Sequence, residues 1–181
     1  MPEPERGRIL VGIARDAIAD AAGPRFARGW EPAWLREPAA TFVTLRDAAG
    51  ELRGCIGTVD AHRALGDDVA HNAHAAAYRD PRFVPVDSQE RHTLAVEVSV
   101  LTPRVAFAAR SEADAIAALR PGEDGVVFEY RDRRATFLPQ VWESLPDPLD
   151  FLSELRRKAQ LPARFWHEEV RLWRYAVEKH T

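Results

Sequence analysis

The chain has 181 residues, of which 46% are hydrophobic and 29% are charged, a composition typical of a soluble globular protein and unlike that of a disordered chain. Its formal net charge of −3 argues against a nucleic-acid-binding protein, because such proteins usually carry a strongly basic surface. The one cysteine, Cys55, excludes an internal disulfide and a four-cysteine zinc site.

The same features predict where the protein works. A lone thiol is typical of a reducing compartment, and no apolar run approaches the ~18–20 residues of a membrane-spanning helix. The N-terminal segment lacks the apolar centre of about 7–15 residues that marks a signal peptide. We therefore expect a cytoplasmic protein without a membrane partner, and nothing in the sequence indicates a cofactor.

The first half of the chain alternates helices with short strands. Apolar residues at 3.6-residue spacing predict an opening helix, and the Pro-rich stretch after it predicts an ordered loop that packs Trp30 and Trp34. A Gly-bearing turn between two short apolar runs predicts a β-hairpin. The predicted elements are a helix over 9–18, the loop over 24–38, strands over 41–45 and 52–59, and a helix over 65–78.

The second half begins with a strand whose apolar residues alternate strictly with its polar and small residues. Ser111 is the predicted N-cap of the next helix, with Asp114 three residues later. A second hairpin turns around Asp132. The predicted elements are a strand over 93–101, a helix over 111–119, strands over 126–130 and 134–138, a helix over 149–159 and a strand over 171–177.

The order of these elements predicts the fold class. Helices and hairpins are interspersed, without βαβ periodicity or a Gly-rich phosphate-binding turn. We therefore expect an α+β fold with a mostly antiparallel sheet and flanking helices. Residues 1–181 are interpreted as one domain, in which the helix and hairpin of residues 104–138 form a smaller lobe.

The strongest candidate for a chemically active segment is the stretch Leu52-Arg53-Gly54-Cys55-Ile56-Gly57-Thr58. Glycine inside a strand usually marks a bulge or the close approach of a ligand or of another backbone. Alternation would place Leu52 and Ile56 toward the core, and Arg53 and Cys55 on the other face, roughly 6–7 Å apart. An arginine beside a thiol favours the nucleophilic thiolate. The alternative is a buried structural cysteine, since free cysteines are often buried.

A second pattern lies on the predicted helix over 65–78. Asp67, His71 and His74 share one helical face, where two imidazoles and a carboxylate could hold zinc or ferrous iron. An exposed polar stripe is the favoured interpretation, because the opposite face of the helix is apolar. We therefore predict no metal site.

Asp80-Pro81-Arg82-Phe83 has the residue order of a type I turn, with Asp first and Pro second. Arg82 could pair with Asp80 or point at a ligand, and the internal pair is favoured.

Arg131, Arg133 and Arg134 cluster in the second hairpin, near Tyr130 and Phe137. Such a cluster could form a weak nucleic-acid surface. A solvated hairpin tip is favoured, because the chain as a whole is acidic.

Five short motifs follow one another in a fixed order along the chain. They are Leu52-Arg53-Gly54-Cys55-Ile56-Gly57-Thr58, Asp80-Pro81-Arg82-Phe83-Val84-Pro85, Glu97-Val98-Ser99-Val100-Leu101-Thr102-Pro103, Gly125-Val126-Val127 and Phe137-Leu138-Pro139-Gln140-Val141. Together with the stretch that contains Trp166 and Tyr175, these motifs resemble the AMMECR domain family over nearly the whole chain. The heptapeptide around Cys55 is the most specific of them.

The resemblance implies an α+β fold with a larger and a smaller subdomain around a cleft, near which the Cys55 strand lies. Bacterial and archaeal members resemble protein A of the AmmeMemoRadiSam system, which implies a Memo-like protein and a radical SAM protein as partners. The resemblance assigns motif positions in this chain but no catalytic residue. These positions are Arg53, Gly54, Cys55, Gly57, Asp80, Arg82 and Ser99.

Three hypotheses for function follow. The first is a system component that acts through Cys55 as a nucleophile or carrier for a small substrate, with Arg53 favouring the thiolate and with Glu97 and Ser99 bordering the site. The second is a non-catalytic module that docks a Memo-like or radical SAM protein through aromatic anchors. Nucleic-acid binding is the third, and the net charge argues against it.

Overall fold

The computed structural model describes residues 3–23 and 31–181, which form two compact units. The larger unit is Met1–Leu101 together with Glu178–Thr181, and the smaller unit is Thr102–Val177. The smaller unit is therefore inserted into the chain of the larger one. Its first residue, Thr102, is joined to Ala176, the last residue but one, by two hydrogen bonds. They run from the Thr102 N–H to the Ala176 carbonyl (3.0 Å) and from the Ala176 N–H to the Thr102 hydroxyl (2.9 Å).

The larger unit packs two helices against one face of a four-stranded antiparallel sheet. Its strand order is β10-β5-β2-β3, and a separate two-stranded ladder joins β1 to β4. The elements are α1 (Glu3–Ala19), β1 (Pro38–Ala39), β2 (Thr41–Arg46), β3 (Leu52–Gly57), β4 (Arg63–Ala64), α2 (Leu65–Tyr78), β5 (Ala95–Leu101) and β10 (Val177–His180), which starts at the unit boundary.

The core of the larger unit lies between α1, α2 and the sheet. Leu10, Val43, Val69 and Val98 are fully buried there, because their positions follow the helical period of 3.6 and the strand period of 2. Helix α2 is rich in alanine, and its small side chains let it lie close to the sheet. It ends at Tyr78, shortly before Pro81.

The smaller unit has its own antiparallel sheet, of order β6-β9-β7-β8, and its own apolar core. Trp142 stacks on Phe151 with their ring centroids 3.7 Å apart. Ser111 caps α3, since its side chain accepts the Asp114 N–H (3.1 Å). The elements are β6 (Val105–Phe107), α3 (Glu112–Ala118), β7 (Gly125–Tyr130), β8 (Arg133–Phe137), α4 (Pro148–Lys158) and β9 (Arg171–Tyr175).

The α+β class, the antiparallel sheets and both hairpins are confirmed. The expectation that Leu52 faces the core is wrong: a bulge lets Arg46 pair with Leu52 while Leu45 pairs with Gly54, and the Leu52 side chain is 37% exposed. The predicted last strand is two strands in different sheets, divided at Ala176.

The predicted Pro-rich loop is described only in part. Trp30 lies outside the described residues. Trp34 is the second residue of a short 3-10 helix, Ala33–Arg36, and its half-buried side chain packs against the core of the larger unit. In the described ranges, no helix combines the length and the apolar character needed to cross a membrane.

Candidate functional site

Strand β3, which carries most of the Cys55 motif, is an edge strand of the sheet in the larger unit. A Cβ built on Gly54 would lie 2.2 Å from the Ala76 carbonyl oxygen, so this residue faces helix α2. Ile56 packs on the same side, against the core. Because successive strand residues point to opposite faces, the Cys55 side chain lies on the face away from α2, where it is half-buried.

The two glycines of the motif are explained by packing. Only a residue without a side chain fits at Gly54, since the Ala76 backbone of α2 occupies the space. At Gly57, an added Cβ would lie 2.2 Å from the Phe42 ring, which covers the strand there. Close approach is therefore the reason for both glycines, and what approaches is the protein itself.

The turn that begins at Asp80 closes the free edge of β3 at Cys55. The Asp80 carboxylate accepts the Cys55 N–H (2.9 Å), and the Arg82 guanidinium donates to the Cys55 carbonyl (3.1 Å). Two side chains thus replace the strand that would otherwise pair there. The turn itself is confirmed by the hydrogen bond from the Phe83 N–H to the Asp80 carbonyl (3.2 Å).

Asp80 is nearly fully buried and is paired with Arg82, as favoured above, at 2.6 and 2.9 Å. The Arg82 guanidinium holds the pKa of the Asp80 carboxyl well below its usual range. The N–H groups of Cys55 and Arg82 act in the same direction, and burial opposes them. Asp80 is therefore a buried, charged residue that binds the edge of β3 and the Arg82 side chain.

Arg53 is bound to Glu90, a residue of the 3-10 turn Glu90–His92. Its Nε and one terminal nitrogen donate to the two carboxylate oxygens at 2.5 and 3.0 Å. Its guanidinium also lies 5.8 Å from the centre of the Phe83 ring. Arg53 therefore connects β3 to two loops, and the charge that was expected to favour a thiolate is shared with Glu90.

The Cys55 thiol contacts the hydroxyl of Thr44 on β2, with the sulfur and oxygen 3.4 Å apart. Thr44 pairs with Cys55 on one side and with Glu97 of β5 on the other. The three side chains therefore form one row across the sheet, on the face away from α2. This row brings together the predicted Cys55 and Glu97 through a residue that the sequence analysis did not single out.

Ser99 lies in the next row of the same face, opposite Phe42. Its side chain is buried, with 3% exposure, although its position on the strand was expected to border an open site. Phe42 also pairs with Gly57, so the ring fills the row between the glycine and the serine.

Thr58 takes part in a buried hydrogen-bond network around Asp68 of α2. The Asp68 carboxylate accepts the hydroxyls of Thr58 (2.6 Å) and Thr41 (2.8 Å), the Thr41 N–H (2.9 Å) and the Asn72 amide (3.0 Å). Arg63 completes the network as the ion-pair partner of Asp68 (3.1 Å). Its bonds join β2 and the end of β3 to the helix, which is a structural role.

The histidines of α2 do not form the exposed polar stripe that was favoured. His74 is buried, its ring lies 4.8 Å from that of Tyr78, and its Nε2 is 3.2 Å from the Ala21 carbonyl. Burial, reinforced by Arg63, lowers the pKa of His71. Within residues 3–23 and 31–181, no three His, Cys, Asp or Glu side chains are grouped as metal ligands.

The arginines of the second hairpin belong to the smaller unit. Arg131 pairs with Glu169 (3.2 Å), and Arg133 donates to the Gln160 side chain (2.5 Å). The hairpin is exposed to solvent at these arginines, and their partners belong to the same unit.

Comparison with known proteins shows the family of the chain. A family model described as AMMECR1 matches residues 11–180. The chain belongs to the AMMECR1 family. The motif around Cys55, the turn at Asp80 and the strand of Glu97 all lie within the part that matches this family.

Relatives and a solved structure agree with this membership of the AMMECR1 family. A protein of Methanothermobacter thermautotrophicus is 38% identical over 183 residues, which cover 96% of this chain and 93% of that protein. A protein of Thermofilum pendens is 36% identical over 194 residues, covering 96% and 88%. The crystal structure of an uncharacterized protein from Pyrococcus horikoshii has a TM-score of 0.83 and 32% identity, over 98% of this chain and 91% of that one.

Three residues of the site were missed in the sequence. Glu90 is 37 positions from Arg53, and no local pattern joins them. Asp68 was not distinguished from other acids in the first turn of α2. Thr44 carried a usable signal, because it is the polar residue in the middle of the apolar strand that pairs with Cys55.

Proposed function

We propose that this AMMECR1-family chain acts in a system with a Memo-like protein and a radical SAM protein, and that the Cys55 thiol is its reactive group for a small substrate. One observation carries the proposal. Packing explains Gly54, Ile56 and Gly57, and Glu90 binds Arg53, whereas the Cys55 side chain faces away from the helix and is only half-buried. Between Arg53 and Gly57, Cys55 is thus the motif residue whose side chain neither core packing nor an ion pair explains.

The hydrogen bonds around Cys55 suit a nucleophile whose orientation must be fixed. Both backbone groups of Cys55 are bonded by the turn, through Asp80 and Arg82, so the direction of its Cβ is fixed. The Thr44 hydroxyl at 3.4 Å can accept a hydrogen bond from the thiol or donate one to a thiolate. Glu97 lies on the far side of Thr44 and is our candidate for the group that takes up the proton.

In this proposal, Arg53 is a positioning residue. Its bidentate contact with Glu90 ties β3 to the 3-10 turn, and its guanidinium covers Phe83. The partners come from the resemblance to protein A of the AmmeMemoRadiSam system. The thiol would then hold or transfer a group in a reaction that those partners complete.

The test is alkylation of Cys55 in the folded chain with an uncharged reagent at neutral pH. We expect labelling in the folded chain, because the Cys55 side chain is only half-buried. Thr44→Val is the matched variant, since it keeps the shape of the side chain and removes the hydroxyl. Labelling only after unfolding would refute a reactive thiol, as would full function of the system with Cys55→Ser.

A second candidate function is a docking module without chemistry of its own. The observation that favours it is Val84, an apolar side chain that is 76% exposed directly after the turn that closes the β3 edge. Exposed prolines flank it, at Pro81 and Pro85. Among the described residues, Val84 is the most exposed of the large hydrophobic side chains, which makes it the position at which to test docking.

Co-purification with the Memo-like and radical SAM proteins separates the two candidates. A docking module predicts that Val84→Asp abolishes co-purification while Cys55→Ser leaves it intact and the system active. A reactive thiol predicts that Cys55→Ser inactivates the system even where the proteins still associate. Co-purification that neither variant affects would contradict the docking surface at Val84.

A further inference from the structure

A small open pocket lies in the larger unit at the end of α1, separate from the Cys55 row. Its volume is about 150 Å³. Of the described residues that line it, three are basic, three are apolar and none is acidic. They are Arg15, Ile18, Ala19, Arg91, His92 and Val96.

The two arginines of the pocket have no acidic partner within residues 3–23 and 31–181. Within the described residues, Arg15 has neither an ion pair nor a hydrogen bond. Arg91 donates to a carbonyl, and in the described part of the chain it pairs with no carboxylate and its buried Nε has no acceptor. Asp20, the acid nearest in sequence to Ala19, accepts the Ala22 N–H (3.0 Å). Among the residues that the structure describes, the positive charges of Arg15 and Arg91 therefore have no carboxylate partner, in a chain whose net charge is −3.

The end of a helix normally presents carbonyl groups with partial negative charge, which would repel an anion. Here the last carbonyls are already bonded. Tyr78 donates to the Ile18 carbonyl at 2.6 Å, and Arg91 donates to the Ala19 carbonyl at 2.6 Å. The pocket thus presents guanidinium and imidazole groups beside the apolar side chains of Ile18 and Val96.

We propose that this pocket binds a small organic carboxylate with a short branched apolar tail. The volume equals about five waters at roughly 30 Å³ each, which suits a ligand of about five to eight non-hydrogen atoms. The Arg15 and Arg91 guanidinium groups that line the pocket supply hydrogen-bond donors for a carboxylate. The tail contacts Ile18 and Val96, and this site is independent of the function proposed for Cys55.

The experiment is an NMR titration of the full chain, following the amide signals of residues 15, 18, 91, 92 and 96. Isovalerate is the probe, and isovaleramide has the same shape without the charge. Acetate keeps the charge without the branched tail, and inorganic phosphate presents charge alone. We expect saturable shifts with isovalerate, shifts at least roughly tenfold weaker with acetate, and none with isovaleramide.

Variants assign the binding to this pocket. Arg15→Gln and His92→Gln should each weaken isovalerate binding by roughly threefold to tenfold, because each removes one charged or polar contact. Arg8→Gln is the matched control, since Arg8 is an exposed arginine of the same helix outside the pocket, and it should leave binding unchanged.

Several results would overturn the assignment. They are the absence of saturable shifts at these residues, equal binding of isovaleramide, tighter binding of phosphate than of isovalerate, or an equal loss with Arg8→Gln and Arg15→Gln. Alkylation of Cys55 is read separately, so a failure here leaves the proposed thiol function standing, and the reverse also holds.

Discussion

Gly54→Ala tests whether the glycine of the Cys55 strand is kept for packing against α2. The added Cβ would lie 2.2 Å from the Ala76 carbonyl oxygen and 3.0 Å from its carbon, both of which are backbone atoms. Relief requires the strand and the helix to separate by roughly 1 Å, because rotamer changes cannot move a helix backbone. Such overpacking costs about 3 kcal/mol, and the higher strand preference of alanine returns about 1 kcal/mol.

The expected net effect of Gly54→Ala is a loss of about 2 kcal/mol in the free energy of unfolding, measured by urea denaturation. For a chain of this size, the midpoint of thermal unfolding should fall by about 4–8 °C. Gly12→Ala is the matched control, because a Cβ at Gly12 in α1 meets no atom within 4 Å. That variant should gain up to about 1 kcal/mol from helix preference.

The reasoning about Gly54 is refuted if the variant unfolds within about 0.5 kcal/mol of the natural chain, which is the range of neutral surface substitutions. An equal loss in Gly12→Ala would also refute it, because the two sites differ in what surrounds the added methyl group. Since the chain has two units, unfolding is followed with a probe in the larger one.

Three further predictions concern the anchors of the fold. A double-mutant cycle of Arg53→Gln and Glu90→Gln should give a coupling of about 1–2 kcal/mol, since the pair is bidentate and largely shielded from water; a coupling near zero would contradict its anchoring role. The folded pKa of Asp80 is depressed, so its contribution to stability is complete above its unfolded pKa of ~3.9 and is lost as the pH falls below that value. Asp80→Asn should therefore be less stable at neutral pH and show a flatter acid profile by circular dichroism, and an unchanged profile would count against the Arg82 contact. Ser111→Ala should lower the thermal midpoint through the loss of about 1 kcal/mol from the α3 cap, whereas Ser111→Asp, which keeps an acceptor, should restore most of it.

The parts of the fold that depend on neighbours in sequence were predictable. Helix α2 has the predicted bounds because apolar periodicity and the Asp80-Pro81 stop are local signals. The turn at Asp80 and the cap at Ser111 depend on contacts only two or three residues apart. These elements need no knowledge of what packs against them.

The rest of the site depends on contacts between distant segments. The Arg53–Glu90 pair spans 37 residues, and nothing near Arg53 in the sequence selects Glu90 over other acids. The exposure of Leu52 follows from a bulge that is visible only in the pairing register. The burial of His74 could not be predicted from its neighbours in sequence, because its partner, the Ala21 carbonyl, lies 53 residues away.

The insertion of the smaller unit between β5 and β10 bears on how the chain folds while it is being synthesised. Strand β5 needs β10 to cover one of its edges, and β10 emerges only after the whole of Thr102–Val177. During synthesis, the β5 edge of the larger unit therefore stays unpaired until β10 emerges, by which time every strand of the smaller unit's sheet has been synthesised. Once the inserted unit has folded, Thr102 and Ala176 lie together, and this shortens the loop that β10 must close to reach β5.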